Sequence, residues 1–231
     1  APAPSSGAVL GASQMARRSA VVAVGAVGGV LGARRLLSAL TRRGVLPRID
    51  VKAVLGGGAS YSTGQADVSE ADVLAAQKLW AESITSISKV YAEKGDYVAA
   101  AGEAAGKLYG YGHGNVLFKP TKATKNPFRA TGESAMSYFV GAEAMNDDKY
   151  KGEDAGFAIN GGRGWSSVVF NNHQVELYGT VAHAMGDYIF TDATSGDKVR
   201  VEYTFAYKRC EDGKVRICLH HSSVPYVAAP S

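Results

Sequence analysis

The sequence predicts an α+β domain in which helices come first and a sheet of long antiparallel strands follows. Three observations carry that prediction. Apolar residues recur at helical spacing between residues 69 and 140, the pattern switches to period two from Gly156, and turn signals separate the later segments at Gly179-Thr180, Ser195-Gly196-Asp197 and Asp212-Gly213. Helices and strands that segregate along a chain argue against an alternating α/β layout.

The elements follow in order. Ser69-Glu70-Ala71-Asp72 has the form of a capping box, and Val73, Leu79-Trp80, Ile84, Ile87 and Tyr91 then repeat at helical spacing to about Glu93. Asp96 to Lys107 is rich in alanine and reads as a second helix, broken by Gly110 and Gly112. Asn115 to Thr121 reads as a strand that stops at Pro120, because proline cannot donate to a sheet ladder. Thr131 to Val140 is a third helix with Ala135, Met136 and Phe139 on one side, capped by Gly141. Residues 142–155 are polar and acidic and read as a surface loop. Trp165–Glu176, Val181–Thr194, Lys198–Arg209 and Lys214–Ser223 are the four strands.

A chain of 231 residues is long enough for one domain and an extension, and we place the extension over 1–66 and the domain over 67–231. With 46% hydrophobic and 20% charged residues, a packed core is expected rather than global disorder. The net charge of +4 conceals an asymmetry. Residues 1–60 hold eight basic residues (Arg17, Arg18, Arg34, Arg35, Arg42, Arg43, Arg48 and Lys52) against Asp50 alone, and the rest holds 17 basic and 20 acidic residues. The basic character therefore belongs to the extension, and basic residues are not interleaved with aromatic ones. Both points argue against a nucleic-acid partner.

Within the extension, a 14-residue apolar run from Ala20 to Ala33 is shorter than the roughly 20 residues that cross a bilayer as a helix. Three readings stay open: a targeting remnant, since a twin arginine precedes the apolar run; an arm that lies against a membrane or membrane protein; or an ordinary extension. Gly56-Gly57-Gly58-Ala59-Ser60 begins a linker. The two cysteines, Cys210 and Cys218, flank the Asp212-Gly213 turn. With those two residues as the loop they would face Val215 and Tyr207, so no disulfide is expected. Gly161-Gly162-Arg163-Gly164 has no helix after it, which argues against a phosphate loop.

The last strand carries the most chemistry. Strand side chains alternate between faces, so Val215, Ile217, Leu219, His221 and Ser223 share one face and Arg216, Cys218, His220 and Ser222 the other. The first set reads as a strand that runs along a core and ends at a pocket floor, with an imidazole beside a hydroxyl suited to acid–base chemistry.

Four stretches, Asn115–Thr121, Ser137–Gly141, Val201–Tyr207 and Leu219–Tyr226, together with the element order, resemble the nuclear-transport-factor-2-like cone. More narrowly, they resemble the family related to the association domain of calcium/calmodulin-dependent kinase and, within it, the iota-class carbonic anhydrases. The resemblance covers about 69–227. It implies a curved antiparallel sheet wrapped round helices, and a bicarbonate-sized pocket that works without a metal. The pocket's polar groups are then Thr121, Tyr138, and a histidine and serine from His220-His221-Ser222-Ser223. That ending leaves the assignment ambiguous by one position. Alternation selects His221 and Ser223, with His220 and Ser222 as further binding candidates.

On this reading, His221 is the base or water-orienting group, and the hydroxyls of Thr121, Tyr138 and Ser223 bind bicarbonate and water. The five histidines offer no three convergent zinc ligands, because adjacent histidines in a strand point apart, so no cofactor is expected, with manganese or zinc left open. The resemblance and the twin-arginine segment together place the protein in a chloroplast, in the stroma or at the thylakoid membrane. Expected partners are carbon dioxide and bicarbonate, and either a second copy through the sheet or a thylakoid complex. The rival reading is a non-catalytic scaffold subunit attached to a photosystem–antenna complex through its N-terminal arm.

Overall fold

A computed structural model describes residues 65–229. The expected extension lies outside the described residues except for Gln65 and Ala66. Gln65 Nε2 donates to the Cys210 carbonyl at 2.8 Å, and Arg209 Nε donates to the Ala66 carbonyl at 2.7 Å. Among the described residues, no helix is long and apolar enough to cross a membrane.

Helix α1 (Glu70–Ala92) opens on the expected capping box: Ser69 Oγ accepts from the Asp72 amide, and the Asp72 carboxylate accepts from the Ser69 amide. Its buried stripe is Val73, Gln77, Trp80, Ile84 and Ile87, at alternating spacings of four and three. Helix α2 (Tyr97–Leu108) is capped by Asp96. Strand β1 is only Leu117–Lys119, and α3 spans Gly132–Val140. Gly141 ends α3 at φ 100, a conformation that favours glycine. A short helix, α4 (Ala142–Met145), follows it. Strands β2 (Trp165–Tyr178), β3 (Val181–Asp192), β4 (Lys198–Arg209) and β5 (Val215–Ser223) complete the domain. Trp80 lies at the centre of the core, edge-on to Phe170, Phe190, Phe205 and His220 and stacked on Tyr188.

The α+β layout agrees with the sequence, and four details correct it. First, the sheet is mixed. Its order is β1-β5-β4-β3-β2, and β1 runs parallel to β5, pairing Lys119 with His221. Second, the β4–β5 loop is longer than two residues. Arg209 pairs with Val215, so Cys210 lies outside the ladder, and Tyr207 pairs with Ile217 rather than with Cys218; both cysteines are free.

Third, β5 carries a bulge. Tyr207 pairs with Ile217 but Ala206 pairs with Leu219, so Cys218 is an extra residue in β5. One inserted residue reverses the alternation beyond it. Ile217 therefore faces the core, and after the bulge His220 and Ser222 face it too, opposite Phe205 and Tyr203. His221 is left exposed and Ser223 half-buried on the outer face. Fourth, residues 142–155 are not only a surface loop. Asp154 is buried and pairs with the fully buried Arg129 through two bonds of 2.7 Å, with the Tyr150 ring 3.8 Å from the guanidinium carbon.

Candidate active site

Four elements, β1, β5, α3 and β3, bring the inward polar groups together. The parallel β1–β5 pairing carries the chain from Lys119, opposite His221, through the buried Pro120 to Thr121. Thr121 Oγ1 and Ser222 Oγ are hydrogen-bonded at 2.8 Å. From α3, the buried Tyr138 accepts a long bond from the Lys122 amide at 3.4 Å, and its ring stacks on Phe157. From β3, Tyr188 places its hydroxyl 3.4 Å from His220 Nε2, and Ser222 Oγ lies 3.5 Å from the same nitrogen. The loop after Thr121 is held by one side chain. Glu153 accepts from the amides of Thr124, Lys125 and Asn126 at 2.5, 2.9 and 3.3 Å. The acidic loop thus supports the segment that carries Thr121.

Of the residues singled out from sequence, Thr121, Tyr138, His220 and Ser222 converge. His221 and Ser223 do not: they border a shallow cavity of about 390 Å³ on the outer sheet face, with His173, Asp187, Arg200 and Glu202. Tyr188 is the group that sequence reasoning missed. Its signal was its place in the β3 alternation, where Ala182, Ala184, Tyr188 and Phe190 all face inward.

The inward groups are all uncharged near neutrality. Burial pushes the Tyr138 and Tyr188 hydroxyls well above the ordinary 10.0; for Tyr188 the hydroxyls of Ser222 and Thr121 oppose the shift in part. Burial, and to a lesser degree the neighbouring His221, pushes the His220 imidazole well below 6.5. This has a consequence for stability. In the unfolded chain the imidazole takes up a proton as pH falls through 6.5, while the folded site resists it. Stability is therefore complete above that pH and is lost below it, by up to about 1.4 kcal/mol per pH unit until the folded group also titrates. Urea unfolding across pH should show a steeper loss of stability just below pH 6.5 in the wild type than in His220→Gln, which keeps the carboxylates that lose stability at lower pH. Equal slopes in both would refute the assignment.

Among the described residues, one His/Cys/carboxylate cluster brings ligand atoms close enough to consider a metal: His113, Cys210 and Asp212. It lies at the β4–β5 hairpin, and its Asp212 carboxylate already holds Arg216 through two bonds of 2.8 and 2.7 Å. None of its members belongs to the inward set.

The family model described as metal-independent carbonic anhydrase matches residues 71–224. A relative from Nostoc sp. strain PCC 7120, named metal-independent carbonic anhydrase, is 41% identical over 162 residues, which are 69% of this chain and 75% of the relative. A crystal structure of the iota-carbonic anhydrase from a cyanobacterium, complexed with bicarbonate, aligns with a TM-score of 0.63 at 39% identity, over 70% of this chain and 95% of that one. A nuclear-transport-factor-2-like protein from Salmonella enterica serovar Typhimurium aligns over 68% of this chain and 91% of its own, at 12% identity and a TM-score of 0.38.

Proposed function

The chain belongs to the metal-independent carbonic anhydrase family, and on that premise we propose that it interconverts carbon dioxide and bicarbonate in a neutral cradle of Thr121, Tyr138, Tyr188, His220 and Ser222. The family description agrees with the expectation of a reaction without a metal cofactor. The observation that carries the reading is the hydroxyl pair of Thr121 and Ser222 at 2.8 Å, set between two buried tyrosines and a neutral histidine.

Such a set can hydrate carbon dioxide without an ionised base. A hydroxyl both accepts and donates. As the water oxygen bonds to carbon, its proton passes to Thr121 Oγ1, and the hydroxyl pair releases one proton from Ser222 to a carbon dioxide oxygen. The net product is carbonic acid, which ionises to bicarbonate and a proton on release. The tyrosine hydroxyls hold the oxygens on which charge develops, in a site poor in competing water. Stopped-flow hydration by the full chain after treatment with a chelator tests this. Activity that survives chelation supports the reading, and activity restored only by added zinc or manganese contradicts it.

Location and assembly are parts of the same proposal. A plastid location, stromal or at the thylakoid, is supported by the twin-arginine and apolar pattern in residues 17–43. A second reading is attachment to a thylakoid complex, as a scaffold or as an anchored enzyme. It is favoured by the concentration of basic charge in residues 1–60. Pairing with a second copy through the outer sheet face is supported by exposed Leu117, Val169 and Met185.

A further inference from the structure

Two buried residues outside the cradle constrain what His220 can do. Trp80 Nε1 donates to the Tyr109 hydroxyl oxygen at 2.9 Å, and that oxygen lies 2.8 Å from His220 Nδ1. An indole N–H can only donate, so it occupies an acceptor position on Tyr109. The hydroxyl proton cannot point toward Trp80, and Tyr109 is 3% exposed, its hydroxyl without any other hydrogen-bonding partner among the described residues. Its proton is satisfied only by His220 Nδ1. If Nδ1 carried the hydrogen instead, the Tyr109 proton would be buried without an acceptor, an arrangement that folded proteins avoid. With Nδ1 accepting, a neutral imidazole must carry its hydrogen on Nε2. That nitrogen is aimed between the hydroxyls of Tyr188 and Ser222, at 3.4 and 3.5 Å. Both contacts are long, so the Nε2–H is only weakly engaged by these hydroxyls and can shorten onto a substrate oxygen.

We propose that Tyr109, oriented by Trp80, fixes His220 in its Nε2–H tautomer, so that the imidazole is a hydrogen-bond donor to Ser222 and to the bound carbonate oxygens and not the proton acceptor of the reaction. Tyr109 and Trp80 are positioning residues. The inward proton path is then confined to hydroxyls, and Ser222, receiving from His220, is left to direct its own proton toward Thr121 or the substrate. The functional half of the inference rests on the carbonic anhydrase reading; the tautomer itself does not.

The test is long-range proton–nitrogen correlation NMR on the full chain with nitrogen-15 histidine, using the signals lost in His220→Gln to assign the ring. The expected result for the wild type is a protonated Nε2 and an unprotonated Nδ1, unchanged between about pH 6 and 8. In Tyr109→Phe, which keeps the ring and removes only the hydroxyl, His220 should become a mixture of tautomers, and kcat for hydration should fall about tenfold or more, as wrong-tautomer variants of catalytic histidines do. A wild-type ring protonated at Nδ1 overturns the proposal even if Tyr109→Phe fails to fold. So does a Tyr109→Phe ring that stays wholly Nε2–H. A wild type with the Nε2–H ring and no hydration activity leaves the tautomer standing and removes the carbonic anhydrase reading.

Discussion

Ser222→Ala and Thr121→Val should each lower kcat/KM for carbon dioxide hydration by about 100-fold or more, whereas His221→Ala and Ser223→Ala should change it by less than about threefold. The contrast follows from one residue of β5. The Cys218 bulge turns His220 and Ser222 inward and leaves their neighbours on the outer face. Thr121 and Ser222 are each other's 2.8 Å partners, so removing either hydroxyl breaks the proton path and the binding of a substrate oxygen together. The effects should not add. The double variant should be close to the worse single one, since residues that act as a unit lose their function once. Stopped-flow rates on the four single variants, with far-ultraviolet circular dichroism to confirm folding, decide it. Loss of activity in His221→Ala with Ser222→Ala unaffected would mean that the outer face, not the cradle, carries the reaction.

The sequence was most legible where structure is local. The capping box at Ser69, the Gly141 stop and the Gly179-Thr180 turn between Tyr178 and Val181 are each written within four residues. Thr121 and Tyr138 were singled out only through the family resemblance, and alternation alone pointed His221 and Ser223 inward, where the structure turns His220 and Ser222 in instead. A bulge leaves little composition signal: Cys218 is an ordinary strand residue, and only the shift in pairing from Tyr207–Ile217 to Ala206–Leu219 reveals it. The parallel pairing of β1 with β5 was equally hidden, because it joins segments about a hundred residues apart through a three-residue strand. The Trp80–Tyr109–His220 chain has the same character. Each member reads as core from its own neighbourhood, and its meaning lies in contacts 29 and 111 residues apart in sequence.

The acidic loop was misread for a related reason, and it leads to the largest expected effect on stability. Asp154→Ala should cost about 3–5 kcal/mol, because it strands the Arg129 charge in the interior, where removal of one partner costs far more than the pair contributes. Arg129 is fully buried and uses both outer nitrogens on Asp154, at 2.7 Å each; Nε reaches the Asn126 carbonyl and Nη1 the Ser134 carbonyl. Asp154 also accepts from Ser137 Oγ at 2.8 Å. For a domain of this size the loss corresponds to a melting temperature lower by about 10 °C. Arg129→Met combined with Asp154→Leu should recover most of it, which separates the cost of an orphaned charge from the worth of the pair. The double variant should nonetheless remain impaired in hydration. The Arg129 side chain ties the segment after β1, at the Asn126 carbonyl, to α3, at the Ser134 carbonyl. That segment carries Thr121 and α3 carries Tyr138, so a packed apolar substitute can restore stability without fixing the distance between the two hydroxyls. Thermal melts beside hydration rates on the single and double variants measure both quantities. Full recovery of activity in the double variant would show that the ion pair stabilises the fold and leaves the cradle's geometry to other contacts.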